Sequence, residues 1–274
     1  MAKDLDLITV GRISVDLFAE QINTSFSQPQ TFHKSIGGSP TNVAVAAAKL
    51  GHNSAIVTKV GEDPLGEYVV NKLRSFQVNT DFVKVSESGL TPVVLASQDP
   101  PEDPKIIFYR QPFAPDTQLQ VGDLDTQALL SAKIFWVSAC ALSQGPTAES
   151  IYRWLEQRGT ASQTIIDLDY RPSFWKDISS ARNAAQRALS NCTIAIGNIT
   201  ECDVALGIRD PHKAAQDLLD RGVILAIVKM GGDGVMLATK DEIQIIKPMP
   251  IKLVCGLGAG DAFGGALVHG LLSG

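Results

Sequence analysis

Six short runs along the chain are almost continuously apolar: LDLITV (5–10), SAIVTKV (54–60), KIFWVSA (133–139), TIIDL (164–168), TIAIG (193–197) and VILAIVK (223–229). Runs of this length with no polar alternation predict strands buried on both faces, as in a largely parallel sheet. Helix-compatible stretches lie between them. SPTNVAVAAAKLG (39–51) has Ser39 as a candidate N-cap, Pro40 for the first helical position and Gly51 for the stop. TAESIYRWLEQRG (147–159) has Thr147 as a candidate cap, an apolar side at Ile151, Trp154 and Leu155, and Gly159 as the stop. Strands alternating with helices predict an α/β fold.

Two regions break the rhythm. Residues 16–38 carry few helix signals, and in 91–113 the extended runs TPVVLAS and KIIFYR flank a proline-rich QDPPEDP turn. Both predict a small β element, able to act as a lid that keeps water from a reaction. No repeat or linker divides the chain, so a single domain over 1–274 is expected, with lid segments near 16–38 and 91–113.

Composition narrows the classes. The 274 residues are 45% apolar and 19% charged, with a net charge of −5, which suits a globular core and argues against nucleic-acid or membrane partners. Cys140, Cys192, Cys202 and Cys255 have no metal-ligand spacing and read as reduced thiols. Met1–Asp6 has no signal-peptide character, and no apolar run reaches membrane-spanning length. A cytoplasmic location is expected. The four histidines, His33, His52, His212 and His269, show no partner pattern and receive no role.

In open parallel sheets ligands bind beyond the carboxyl ends of the strands. The polar residues collect at those ends: Asp16, Lys59, Asp169, Arg171, Asn198, Glu201 and Lys229. Near the C-terminus, GLGAGDAF (256–263) opens an apolar helical run. Unpaired N–H groups at a helix start, with glycines that allow close approach, form a cradle for an anion. A carboxylate beside such a cradle suits a base that accepts the proton of an attacking hydroxyl, as in phosphoryl transfer. The GxxxxGK[ST] loop and a GxGxxG after the first strand are both absent from the sequence.

GGSPTNVAVAAAKLG and GLGAGDAF resemble the two signatures of the ribokinase-like (PfkB) carbohydrate kinases, and GNITE resembles their Asn-x-x-Glu element. The resemblance spans nearly the whole chain. It implies a three-layer α/β/α sandwich with a mostly parallel central sheet and a small β lid. It also implies an ATP- and Mg²⁺-dependent kinase, with a monovalent cation as a further candidate and a homo-oligomer as a candidate assembly. GRISVDL, GGSPTN, IIFYR and DLDYRPSFW are most similar to the branch acting on 5-dehydro-2-deoxygluconate in inositol catabolism. A 2-keto-3-deoxygluconate kinase, another PfkB sugar kinase and a non-catalytic sugar-acid-binding relative are the alternatives.

The resemblance implies Asp261 as the base, with Gly258, Ala259 and Gly260 stabilising charge on the transferring phosphoryl group. It implies sugar contacts from Asp16, Gly38 and Asn42. Arg110, Asp169 and Arg171 would serve the substrate side, the arginines facing its carboxylate or the phosphates. Lys59, Asn198, Lys229, Gly231 and Gly234 would serve the nucleotide, and Glu201 would act on Mg²⁺ through water. Where many members have Asp-Thr-Thr or Asn-Thr-Phe, this chain has Cys255, Gly256 and Leu257. Members usually continue for several elements past this helix, so family elements missing after residue 274 are also expected.

Overall fold

The computed structural model describes residues 5–101, 104–252 and 254–274. Its contacts divide into two compact units, residues 1–119 with 251–274, and residues 120–250. In chain order the first unit carries β1 (Leu7–Val10), β2 (Ser14–Ile22), β3 (Phe32–Gly37), α1 (Ser39–Lys49), β4 (Ser54–Gly61), α2 (Pro64–Ser75), β5 (Val83–Ser86), β6 (Val93–Gln98) and β7 (Lys105–Tyr109). The second carries α3 (Thr126–Ser131), β8 (Ile134–Ser138), α4 (Gly145–Arg158), β9 (Gln163–Asp167), α5 (Ile178–Leu189), β10 (Ile194–Asn198), α6 (Ile199–Leu206), α7 (Pro211–Asp220), β11 (Leu225–Lys229), β12 (Val235–Ala238) and β13 (Ile243–Ile246). The final helix, α8 (Ala259–Ser273), belongs to the first unit.

The six apolar runs all become strands, and the fold is α/β with mostly parallel pairing. In the first unit β1, β4 and β5 pair in parallel. In the second, β8, β9, β10 and β11 are parallel and β12 and β13 add antiparallel. Every residue of β1 and β8 is buried, which is why neither run alternates.

The expected lid is a four-stranded sheet in the order β3–β2–β6–β7. Part of its proline-rich turn, residues 102–103, lies outside the described residues, as do residues 1–4 of the N-terminal segment. Ile13, Val15 and Ile36 carry it onto the same core as Ile56, Val60, Val69 and Leu73.

Two helix starts differ from expectation. Gly38, not Ser39, is the N-cap of α1, so Ser39 and Pro40 are both inside the first turn. α4 begins at Gly145, two residues before Thr147, which is buried within the helix. Pro146 suits the first turn and extends the helix backwards past the hydroxyl residue. Gly51 and Gly159 end their helices as expected.

Candidate functional site

α1 and α8 pack against each other in the first unit with matched spacing. The Asn42 amide donates to Asp261 Oδ2 at 2.7 Å. Four residues further along each helix, a Cβ on Gly265 would collide with the Cβ of Ala46. The glycine therefore sets how closely the two helices approach. Further on, His52 Nε2 and His269 Nδ1 share a hydrogen bond of 2.8 Å. Sequence patterns gave the histidines no role because the pair comes from positions 217 residues apart.

Asp261 sits in the first turn of α8 but does not cap it. The N-cap is Gly258, in the left-handed region, and the helix start has no side-chain cap. Gly258, Ala259 and Gly260 are exposed, and the space a Cβ would take at Gly258 is open. The N–H groups of an uncapped helix start are available to an anion.

Asp16 lies on β2, the strand flanked by β3 and β6. The Ser14 hydroxyl donates to its Oδ1 at 2.6 Å. Burial pushes the Asp16 carboxyl up. The Ser14 bond and the charge of Arg12 pull it down, while the like charge of Asp261 pushes it further up. Any side chain at Gly37 would overlap this carboxylate, and one at Gly38 would overlap the Arg12 carbonyl. The GG pair thus lets β3 turn into α1 directly against Asp16. Asp16, Gly38, Asn42 and Asp261 come together as one group within the first unit.

Two other residues of that unit are engaged elsewhere. Arg110 makes a bidentate pair with Asp116, at 3.0 and 2.6 Å, and Asp116 is buried. Asp116 also accepts the Ile13 N–H. Both terminal nitrogens of Arg110 are therefore directed at a structural carboxylate, although Arg110 also lines a cavity of about 460 Å³ with Leu90, Phe108 and Phe113. Lys59 Nζ donates to the Gln118 carbonyl at 2.9 Å. Sequence reasoning missed Arg12, whose guanidinium carbon lies 5.2 Å from the centre of the Phe108 ring. Its signal was present in GRISVDL, two residues before a hydroxyl–carboxylate pair.

The second unit gathers Asn198, Glu201 and Lys229. Asn198 Oδ1 accepts the Glu201 N–H at 2.9 Å, and Glu201 Oε2 accepts the Asn198 N–H at 2.6 Å. This is a complete capping box at the start of α6. Lys229 stands opposite Asn198 in the β10–β11 register and reaches Glu201 Oε2 at 3.7 Å. Gly231 and Gly234 flank the turn into β12, where a Cβ at Gly234 would overlap the Ile246 carbonyl.

Asp169 is buried. It accepts from the Ser138 hydroxyl at 3.2 Å and pairs with Arg171 at 3.2 Å. The Cys140 thiol donates to its carbonyl at 3.2 Å. Burial pushes the Cys202 thiol up to about 12, which keeps it protonated and unreactive at neutral pH. Among the described residues no group of three or more His, Cys, Asp or Glu is arranged to hold a metal, and no helix is long and apolar enough to cross a membrane.

Known proteins are similar to this chain along nearly its whole length. The 5-dehydro-2-deoxygluconokinase of Clostridium beijerinckii is 32% identical over 284 aligned residues, covering 100% of this chain and 83% of that protein. That of Geobacillus kaustophilus is 30% identical, covering 99% and 83%. Among solved structures, a PfkB protein from Polaromonas sp. JS666 superposes with a TM-score of 0.88 at 22% identity, covering 98% of this chain and 89% of the other. A putative ribokinase II from E. coli in complex with ATP and Mg²⁺ superposes with a TM-score of 0.88 at 23% identity, covering 98% and 87%. Residues 4–274 match the pfkB family carbohydrate kinases. With an uncapped, glycine-opened helix start beside an oriented carboxylate, and with that match over nearly its whole length, the chain belongs to the pfkB family of carbohydrate kinases.

Proposed function

We propose that the protein transfers the γ-phosphoryl group of ATP to a hydroxyl of a sugar acid, most specifically 5-dehydro-2-deoxy-D-gluconate. The observation that carries the reaction class is Asp261. Its carboxylate is oriented by Asn42 at a helix start whose N–H groups no side chain caps. The substrate class rests on the 30–32% identical relatives of that name.

In this reading Asp16, Gly38 and Asn42 hold sugar hydroxyls. Asp261 takes the proton of the attacking hydroxyl as its oxygen bonds to the γ-phosphorus and the bond to ADP breaks. The backbone of Gly258, Ala259 and Gly260 receives the charge that develops on the transferring group. Lys229, Gly231 and Gly234 serve the nucleotide.

Mg²⁺, when bound, neutralises phosphate charge. The residues fit an indirect role for Glu201, because one of its oxygens already accepts the Asn198 N–H and faces Lys229. Carboxylate lone pairs that remain can orient the ion's waters. Arg171 and Arg110 fit support better than direct substrate contact, since each already pairs with a buried aspartate.

The test is ATP turnover against a panel of sugar acids and neutral ketoses with Mg²⁺ supplied. A preference for 5-dehydro-2-deoxygluconate in kcat/KM is expected. Preference for a neutral sugar would overturn the substrate class while leaving the kinase family intact.

A further inference from the structure

We infer that His52 and His269 form a two-histidine site for a late first-row divalent transition ion, copper(II) foremost, at the end of the α1–α8 pair away from Asp261. Such a site is separate from the phosphoryl-transfer group and from the choice of sugar.

Contacts between the two helices follow in the same order along both: Asn42 with Asp261, Ala46 with Gly265, and His52 with His269. The helices therefore run in the same direction. Their positive ends lie on the Asp261 side, and their negative ends point toward the histidines, where a cation is favoured. His269 follows Asp261 by eight residues of α8, about 12 Å along the axis.

The ligand atoms are already together. His52 Nε2 and His269 Nδ1 are 2.8 Å apart, the ring centres are 5.0 Å apart, and the planes are tilted by 53°. With metal–nitrogen bonds of about 2.0 Å, adjacent ligands of a square plane stand about 2.8 Å apart, and those of a tetrahedron about 3.3 Å. The observed spacing is that of the square plane, a geometry characteristic of copper(II) with nitrogen ligands. Divalent affinities also peak at copper. In the neutral pair one ring donates its N–H to the other. To take the ion, the donor ring carries that proton on its outer nitrogen instead, and both rings tilt toward the metal; no proton is released. His269 is exposed and His52 half-buried, so the rings have room to turn and water supplies the remaining ligands.

The backbone beneath the pair is fixed. The His52 N–H donates to the Ala47 carbonyl at 3.1 Å, and the Asn53 N–H donates to Asp6 Oδ2 at 2.8 Å. The Asn53 carbonyl accepts the Asp6 and Leu7 N–H groups at 2.9 and 3.2 Å. His269 stands on α8, whose approach to α1 is set where Gly265 meets Ala46. Only the two side chains have to adjust.

The competing role is a plain hydrogen bond between helices. Copper(II) titrated into the nucleotide-free protein at neutral pH separates the two. One ion per chain is expected, with hyperfine coupling to two imidazole nitrogens in the electron paramagnetic resonance spectrum. The thermal midpoint should rise, because the ion bridges two helices only in the folded chain. His52→Gln and His269→Gln should each lose one nitrogen from the spectrum. Each should weaken binding about 10²-fold, since the second bond of a chelate forms at high effective concentration. His33→Gln and His212→Gln should change neither reading. Midpoints measured in a chelator show that the variants are folded. His269 is exposed, so His269→Gln decides the matter should His52→Gln fail to fold. A two-nitrogen spectrum that survives in His269→Gln places the copper elsewhere and overturns the site. Absence of bound copper, or a single coupled nitrogen in the parent, overturns it as well and leaves the hydrogen bond as the whole role of the pair.

Discussion

Two helix starts in this molecule carry an acidic residue in the first turn beside a site-forming strand, and they use it in opposite ways. At α6 the acid, Glu201, turns back on its own helix: Asn198 and Glu201 satisfy each other's N–H groups, and Lys229 adds a partner from the next strand. At α8 the acid, Asp261, leaves its own helix start uncapped and is held instead by Asn42 of α1. The first arrangement is locally complete and is stable without a ligand. The second leaves the helix start without a side-chain cap and holds its carboxylate from a neighbouring helix. An acidic first turn is therefore not a functional signal in itself; what matters is whether the acid is consumed by its own helix.

The largest expected contrast comes from removing each charge. Asp261→Asn keeps an oxygen to accept from Asn42, so folding should be preserved while kcat falls on the order of 10²- to 10⁴-fold. Near-parental kcat in an active preparation would remove Asp261 from the role of base.

Next is the helix contact that positions Asp261. Gly265→Leu forces a side chain into Ala46 and pushes α8 off α1. Overpacking of this kind costs about 1–3 kcal/mol. Because the same contact sets the Asn42–Asp261 bond, kcat should fall together with the thermal midpoint. A variant with lowered stability and full activity would show that the helix spacing does not position the base.

Asn198→Ala tests the other helix start. Losing the cap should cost about 1 kcal/mol in denaturant unfolding. The activity loss should be smaller than for Asp261→Asn, and it should be partly recovered at higher Mg²⁺. An activity loss as large as that of Asp261→Asn with unchanged stability would mean that the capping box is not what Asn198 is for.

The smallest effect concerns Asp16. Burial, opposed by Ser14 and Arg12 and reinforced by Asp261, raises its carboxyl above the ordinary 3.8. The folded chain therefore holds this proton to higher pH than the unfolded chain does. Stability from this group is fully present below 3.8 and is lost as pH rises through the folded value. Asp16→Asn should raise the thermal midpoint at pH 7 while weakening substrate binding, and the gain should vanish as the pH falls below 3.8. A variant less stable than the parent at pH 7 would show that the charge of Asp16 is a net stabiliser.

Much of this was legible in the residues. Continuous apolar runs specified the buried strands, because a strand covered on both faces has no polar side to show. Gly51 and Gly159 marked helix ends because the backbone there turns left-handed. Ser39 and Thr147 misled as caps because the chain enters each helix earlier, through Gly38 and through Gly145–Pro146. GLGAGDAF pointed to a glycine-opened helix start with an acid in its first turn, which is what Gly258 and Asp261 form, since glycine and carboxylate preferences are local.

Most partners of charged side chains were not legible, because nearness in sequence does not say which way the fold turns a side chain: Arg110 and Asp116 lie only six residues apart. Arg110 was expected to face a ligand, yet it is directed at Asp116, whose burial demands a cation. Asp169 and Arg171 sit two residues apart, yet only the fold shows Ser138 completing the buried carboxylate. Arg12 drew no attention in the sequence because its contact with Phe108 comes from β7, far along the chain. The sequence determined the elements and the kind of chemistry at their ends through local backbone preference and the demand for apolar burial. The tertiary structure alone decided which charged groups pair with which, because electrostatic pairing acts through space and follows whatever neighbour the packing brings near.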